Sequence, residues 1–259
     1  MDTVTVKIDG ADGLSGLTAS GNLVASAELI DNIVISGAGT ASGVDLTPMT
    51  DFDGAIKLVS SANAGQYKLT LSADQFNMLN STTPLKADSE VTIKLSDKAD
   101  TVTLTKAVDT VVFEANAGNN TDVIKGFTAG SGGDKLDFSS AYTYSKLIEG
   151  DNNASAADAL SALADAAASG SGNLSGAAFV FNGTVNELQD TIKTAAAADT
   201  DWYLASGDSA LAFVGNVVDG ATTFSVYEVT GKGGDAEEIH LVGTVQVDHG
   251  TALDVANFA

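Results

Sequence analysis

The stretch VTIKLSDKADTVTLTKAVDTVVF (91–113) decides how this chain folds, because it repeats itself at an unusual interval. Ile93, Val102 and Val111 stand nine residues apart, as do Leu95, Leu104 and Phe113, and so do Asp100 and Asp109. An odd period does not suit one antiparallel ladder, in which facing sides alternate every two residues. It suits a coil that advances one short strand and one turn per nine residues. Each unit is then too small to bury its apolar side alone, and stacking completes the core. A meander of antiparallel strands is the competing reading of the same residues.

The texture extends outward from this stretch. VTVKI (4–8), NIVIS (32–36), AIKLV (55–59) and YKLTL (67–71) are short, alternating and rich in Val, Ile and Thr. Clusters of Gly, Asn, Asp and Ser separate them, as expected for strands and turns. SADQFNMLN (72–80) interrupts the strands, with Ser72 and Gln75 spaced as a capping box on a short helix. After residue 140 the grammar changes. SAADALSALADAAAS (155–169) and TVNELQDTIKTAAAA (184–198) read as alanine-rich helices, the second opened by Thr184 and Glu187. Strands return at DWYLA (201–205), ALAFVG (210–215), TTFSVYEVT (222–230) and EIHLVGTVQV (238–247), the last two forming a hairpin around GKGGDAE. The expected fold is mainly β: a parallel β-roll or β-helix-like coil of short strands over 1–140, followed by a smaller α+β region over 141–259.

Composition bounds the function. The 259 residues are 44% apolar and 18% charged, which suits a globular chain with one large core or two smaller ones. Twelve lysines and no arginine oppose 34 acidic residues, for a net charge of -22. Such a surface repels phosphate, so neither nucleic acid nor an anionic membrane is an expected partner. The absence of cysteine rules out disulfides and thiolate metal sites. No run of 18 apolar residues exists to suggest a membrane-spanning segment. MDTVTVKIDG opens without an apolar signal core and enters the strand pattern at once, which reads as a cut made inside a larger protein.

Two further stretches come near the nonapeptide of calcium-binding β-rolls, G-G-x-G-x-D-x-U-x, in which U is a large apolar residue, each with Ala (Ala117, Ala129) in place of the first Gly. AGSGGDKLD (129–137) places Gly130, Gly132, Asp134 and Leu136 in frame and ends on Asp137. AGNNTDVIK (117–125) places Gly118, Asn120, Asp122 and Ile124, with Asn standing where glycine is usual. Carbonyls and carboxylates are hard donors that suit Ca²⁺, so Gly118, Asn120, Asp122, Gly130, Gly132, Asp134 and Asp137 are the candidate metal ligands. The alternative is that Gly and Asn serve backbone geometry alone and Asp forms the turns. TGKGGDAE (230–237) fits partly but has Glu237 at the apolar position, and reads as a hairpin loop.

TDVIKGFTAGSGGDKLDFS (121–139) is similar to the D-x-I-x-x-F-x-x-G-x-D-K-I-D-L-S segment that closes the calcium β-roll of type I-secreted RTX proteins, and DTVVFEANAG (109–118) resembles their D-T-F-V-F lead-in. Among those proteins the composition looks most like S-layer proteins and large surface adhesins. The resemblance implies a secreted protein of the bacterial cell surface, exported by the type I secretion machinery and folded outside on meeting calcium. It also implies a C-terminal secretion signal, for which LDVANFA (253–259) is the candidate. Self-assembly into a surface array and a cell-surface polysaccharide are the partners it suggests. The alternatives are the non-catalytic tail of a larger secreted hydrolase, or an adhesin module, including ice binding through TVTLT (101–105).

Catalysis is not expected. The two histidines, His240 and His249, make no H-E-x-x-H, and no G-x-S-x-G elbow exists. Asp51 and Asp53 lie in a turn-like DFDG, and Trp202 and Tyr203 read as core of a strand rather than as a sugar platform.

Overall fold

The structure, a computed structural model, describes residues 3–9, 17–18, 27–38, 43–60, 67–81, 89–114, 121–139, 146–148, 177–182, 184–186, 188–189, 207–218, 221–231, 237–249, 253 and 255–259. These residues are mostly strand, with little helix. The first twelve strands are β1 (Thr3–Asp9), β2 (Leu17–Thr18), β3 (Asn32–Ala38), β4 (Gly43–Asp45), β5 (Ala55–Ser60), β6 (Lys68–Ser72), β7 (Leu79–Ser81), β8 (Glu90–Lys94), β9 (Thr101–Thr103), β10 (Val108–Val112), β11 (Asp122–Thr128) and β12 (Lys135–Asp137).

Successive strands go to different sheets. Among the described residues, β1, β3, β5 and β7 form one sheet in that order, while β2, β4, β6, β8, β10 and β12 form a second. β9 and β11 begin a third. Every pairing among these twelve strands is parallel, which overturns the antiparallel meander. The nine-residue interval now has a physical meaning. Ile93 of β8 and Val111 of β10 are register partners, whereas Val102 of β9 lies in the other sheet. All three side chains are 0% exposed. One step of nine crosses from sheet to sheet, and two steps return to the same sheet one strand further on. Apolar residues from all three sheets share one buried cluster. Strands of two to seven residues are stable here only because each is covered by its neighbours.

Helix α1 (Ala73–Met78) sits where the sequence places it, with both bonds of the Ser72–Gln75 capping box formed. Gln75 is buried and donates from Nε2 to the carbonyls of Leu46 (2.7 Å) and Met49 (3.0 Å). Asn77 donates to the Thr101 carbonyl at 2.9 Å, on the strand that forms the edge of the third sheet. A side-chain amide there satisfies an edge carbonyl that would otherwise invite another strand.

That third sheet runs across residue 140. It adds β13 (Lys146–Ile148), β14 (Ala177–Asn182), β15 (Ser209–Val218), β16 (Ala221–Gly231) and β17 (Glu237–His249), in the order β13-β14-β15-β16-β17-β11-β9. β16 and β17 form the expected antiparallel hairpin, and β17 then lies parallel to β11. The chain end follows the same course on the second sheet. Leu136 of β12 bridges in parallel to Phe258, and the Ala259 N–H donates to the Leu136 carbonyl at 3.1 Å. Asp122 pairs with Gly243 and Leu136 with Phe258, so β17 and the chain end stand beside β11 and β12 as the next pair of strands. The change of texture at 140 therefore does not separate two sheets. The helix expected over 155–169 and the strand expected over 201–205 lie outside the described residues. Of the 184–198 helix, the Leu188 N–H donates to the Thr184 carbonyl at 3.0 Å.

Four phenylalanines tie this end together. Phe113 stacks on Phe138 with centroids 4.2 Å apart, Phe138 meets Phe213 edge-on at 6.0 Å, and Phe213 meets Phe258 edge-on at 5.3 Å.

Candidate functional site: the stacked aspartate turns

The inward column of the second sheet runs through Val44, Leu69 and Val91, which are register partners in turn. The next partner of Val91 is Asp109, and Asp134 follows beside it at the start of β12. The column thus changes from apolar to carboxylate while staying buried: Asp109 and Asp134 are both 0% exposed. The third sheet repeats the arrangement. Asp100 precedes β9, Asp122 opens β11 beside it, and both are buried.

Hydrogen bonds engage five of the eight side-chain oxygens of these four aspartates. Across the stack, the Asp100 N–H donates to Asp122 Oδ1 and the Asp109 N–H donates to Asp134 Oδ1, each at 2.9 Å. Within each turn, the other oxygen caps the strand before. Asp100 Oδ2 accepts from the Ser96 N–H (2.6 Å) and hydroxyl (2.9 Å), and Asp109 Oδ2 accepts from the Thr105 N–H (2.7 Å) and hydroxyl (3.1 Å). Asp134 Oδ2 accepts from the Thr128 N–H at 2.7 Å. Buried amides need acceptors, and a short carboxylate supplies two in one place. Asp109 Oδ1 is buried with no hydrogen-bond partner.

Burial sets the electrostatics. It pushes the Asp109 carboxyl up to about 7, with the Asp134 carboxylate adding to the rise. Asp122 rises to about 6, first through burial and then through the charge of Asp100. Asp134 also rises to about 6, because burial outweighs the N–H bonds that favour its charged form.

The turn glycines divide by role. Gly130 and Gly132 adopt φ of 94° and 81°, the left-handed turn that the nonapeptide reading requires. Gly133 is needed for space: an added Cβ would collide with the carbonyl of Thr128. Gly133→Ala is expected to cost about 3 kcal/mol in a urea unfolding experiment. Gly132→Asn, in open space and with a residue that tolerates positive φ, should cost less than about 1 kcal/mol. Equal costs for the two variants would refute this division.

Most of the candidate ligands among the described residues already carry hydrogen bonds. A calcium ion takes about six to eight oxygens. Asp134 has both of its oxygens turned to N–H donors, and Asp122 has Oδ1 turned to the Asp100 N–H. The Gly130 carbonyl accepts from the Gly133 N–H (3.0 Å) and from Asn257 Nδ2 (3.3 Å), and the Thr128 carbonyl accepts from the Asp134 N–H (2.8 Å). Asp137 alternates to the outward side of β12, where its Oδ1 accepts from the Ser139 N–H at 2.8 Å. Gly118 and Asn120 lie outside the described residues. Among the described residues, no three His, Cys, Asp or Glu side chains gather where they could hold a metal. An oxygen that accepts one N–H keeps a second lone pair, so an ion here would share these oxygens with backbone donors.

Ser96 and Thr105 were missed as partners of the aspartates, although they too are nine apart and each stands four residues before its Asp. Asn257 was missed as well. It is buried, accepts from the Gly130 N–H at 2.8 Å and donates to the Asp134 carbonyl at 2.8 Å, closing the stack with a side chain.

The residues weighed for catalysis are dispersed. His240 is half-exposed on β17 with Nε2 3.1 Å from Glu238 Oε1. His249 ends β17, and Asp51 and Asp53 are exposed on either side of buried Phe52. Trp202 and Tyr203 lie outside the described residues. Comparison of the chain with protein-family models, curated proteins and solved structures finds no match.

Proposed function

We propose that this chain is a non-catalytic structural module of the bacterial cell surface, of the S-layer or RTX kind, whose parallel strands wind as a β-roll. The observation that carries the reading is the register of Ile93 with Val111 across one intervening strand of the other sheet. A chain that alternates between two facing parallel sheets builds a rod from strands too short to stand alone. Such a rod is a spacer: its length grows with the number of turns, and its stiffness comes from continuous ladders of backbone bonds. The charge of -22 suits an exposed, soluble surface, and the threonines on the outward side of the second sheet (Thr70, Thr92 and Thr110, register partners in a row) add a polar wall. Export through the type I machinery, self-assembly into an array and attachment to a surface polysaccharide belong to this proposal.

Particle sizing tests the reading. Light scattering from micromolar to near-millimolar protein should report growth into large, ordered assemblies, visible by electron microscopy as sheets or rods. A particle that stays the size of one chain over that range would sink the array proposal.

A further inference from the structure

We infer that the chain's own carboxylates do the work an ion does between stacked turns, so that this stack folds and stays folded without calcium. The inference goes beyond the structural role proposed above, and either could fail without the other, since particle size and metal response are separate measurements.

Two problems arise wherever aspartate turns stack on one another. Backbone amides at the turn lose their ladder partners, and neighbouring carboxylates repel. A cation solves the second problem by sitting among the oxygens. Here the geometry solves the first problem and thereby lessens the second. Each later carboxylate turns Oδ1 towards the earlier turn and accepts its amide: Asp122 from Asp100, and Asp134 from Asp109. Oδ2 of Asp100, Asp109 and Asp134 accepts from the N–H of Ser96, Thr105 and Thr128 respectively, so negative charge is spread into backbone N–H groups. Asn257 then ends the series with a neutral amide that accepts from Gly130 and donates to Asp134, where a further carboxylate would have added charge. To ligate an ion, Asp134 would have to share both oxygens with the amides of Asp109 and Thr128 or weaken those bonds, one of them buried.

The test is thermal unfolding of the full chain by circular dichroism, in EDTA and in millimolar calcium, with magnesium at the same concentration to account for general screening of the acidic surface. The expected Tm is the same in calcium and in magnesium, and the chain shows its full β signal in EDTA. In EDTA, Asp134→Ala should lower the Tm by roughly 5 °C, and Asp134→Asn, which retains an acceptor oxygen, by clearly less. If Asp134→Ala does not fold, the Asn variant against the parent supplies the comparison. A Tm higher in calcium than in magnesium overturns the inference, as does an unfolded chain in EDTA or an Asp134→Ala protein that melts with the parent in EDTA.

Discussion

Raising the pH from 4.5 to 8 is expected to lower the melting temperature of this protein by about 10 °C, the reverse of what paired surface carboxylates produce. The cause is the burial of Asp109, Asp122 and Asp134, whose carboxyls lie at about 7, 6 and 6 against 3.8 for an ordinary aspartate. The sign follows from proton counting. Between 3.8 and about 7 the folded chain holds protons that the unfolded chain has released, so stability falls as pH rises through that interval and is level above it. For Asp109 alone, a rise from 3.8 to about 7 corresponds to a loss on the order of 4 kcal/mol. Its proton belongs on Oδ1, the one oxygen that no N–H faces. Asp109→Asn, which is neutral at every pH, should melt above the parent at pH 8 and flatten the profile. The general repulsion of the acidic surface acts in the same direction, and the Asn variant separates the two, because it removes only one of 34 acidic residues. A Tm that climbs from pH 4.5 to 8 would show that these carboxylates are charged and satisfied in the folded state.

Phe138→Ala is expected to cost about 3–5 kcal/mol, or roughly 10 °C in Tm. Phe138 is fully buried, stacks on Phe113 and meets Phe213 edge-on, so its ring joins the end of the second sheet to the third. Removing it leaves a cavity at the centre of the aromatic series and frees Phe213, which is also in contact with Phe258 at the chain end. The chain end should loosen along with the core. Hydrogen exchange at the Ala259 amide, which donates to Leu136, reports this directly. Phe138→Leu should recover at least half of the loss by refilling the volume. A Phe138→Ala protein melting within about 2 °C of the parent would mean that the ring fills no space that matters.

Both predictions concern residues that the sequence marks only in part. The nine-residue step from Ile93 to Val102 to Val111 was visible because inward-facing apolar residues must recur wherever a strand recurs. The Ser72–Gln75 capping box was visible because its two bonds span three residues. The hairpin of β16 and β17 was visible in two alternating runs separated by a glycine-rich turn. The partners of Asp109 were not visible. One oxygen faces Thr105, four residues away, but its amide faces Asp134, 25 residues on.

The sequence by itself determined that the chain is mainly β, many of its strands and the nine-residue step over 91–113, because these follow from local patterns of apolar, β-branched and glycine residues. It also determined the acidic, cysteine-free character of the surface. Only the tertiary structure decided that the strands pair in parallel, that β17 crosses the apparent boundary at 140 to lie beside β11, and what the buried aspartates do. The physical reason is that a carboxylate reads the same in a sequence whether it will meet a cation, a proton or an amide. Which of these it meets depends on the groups that folding brings next to it, and in these turns most are backbone N–H groups of the same turn and the neighbouring one.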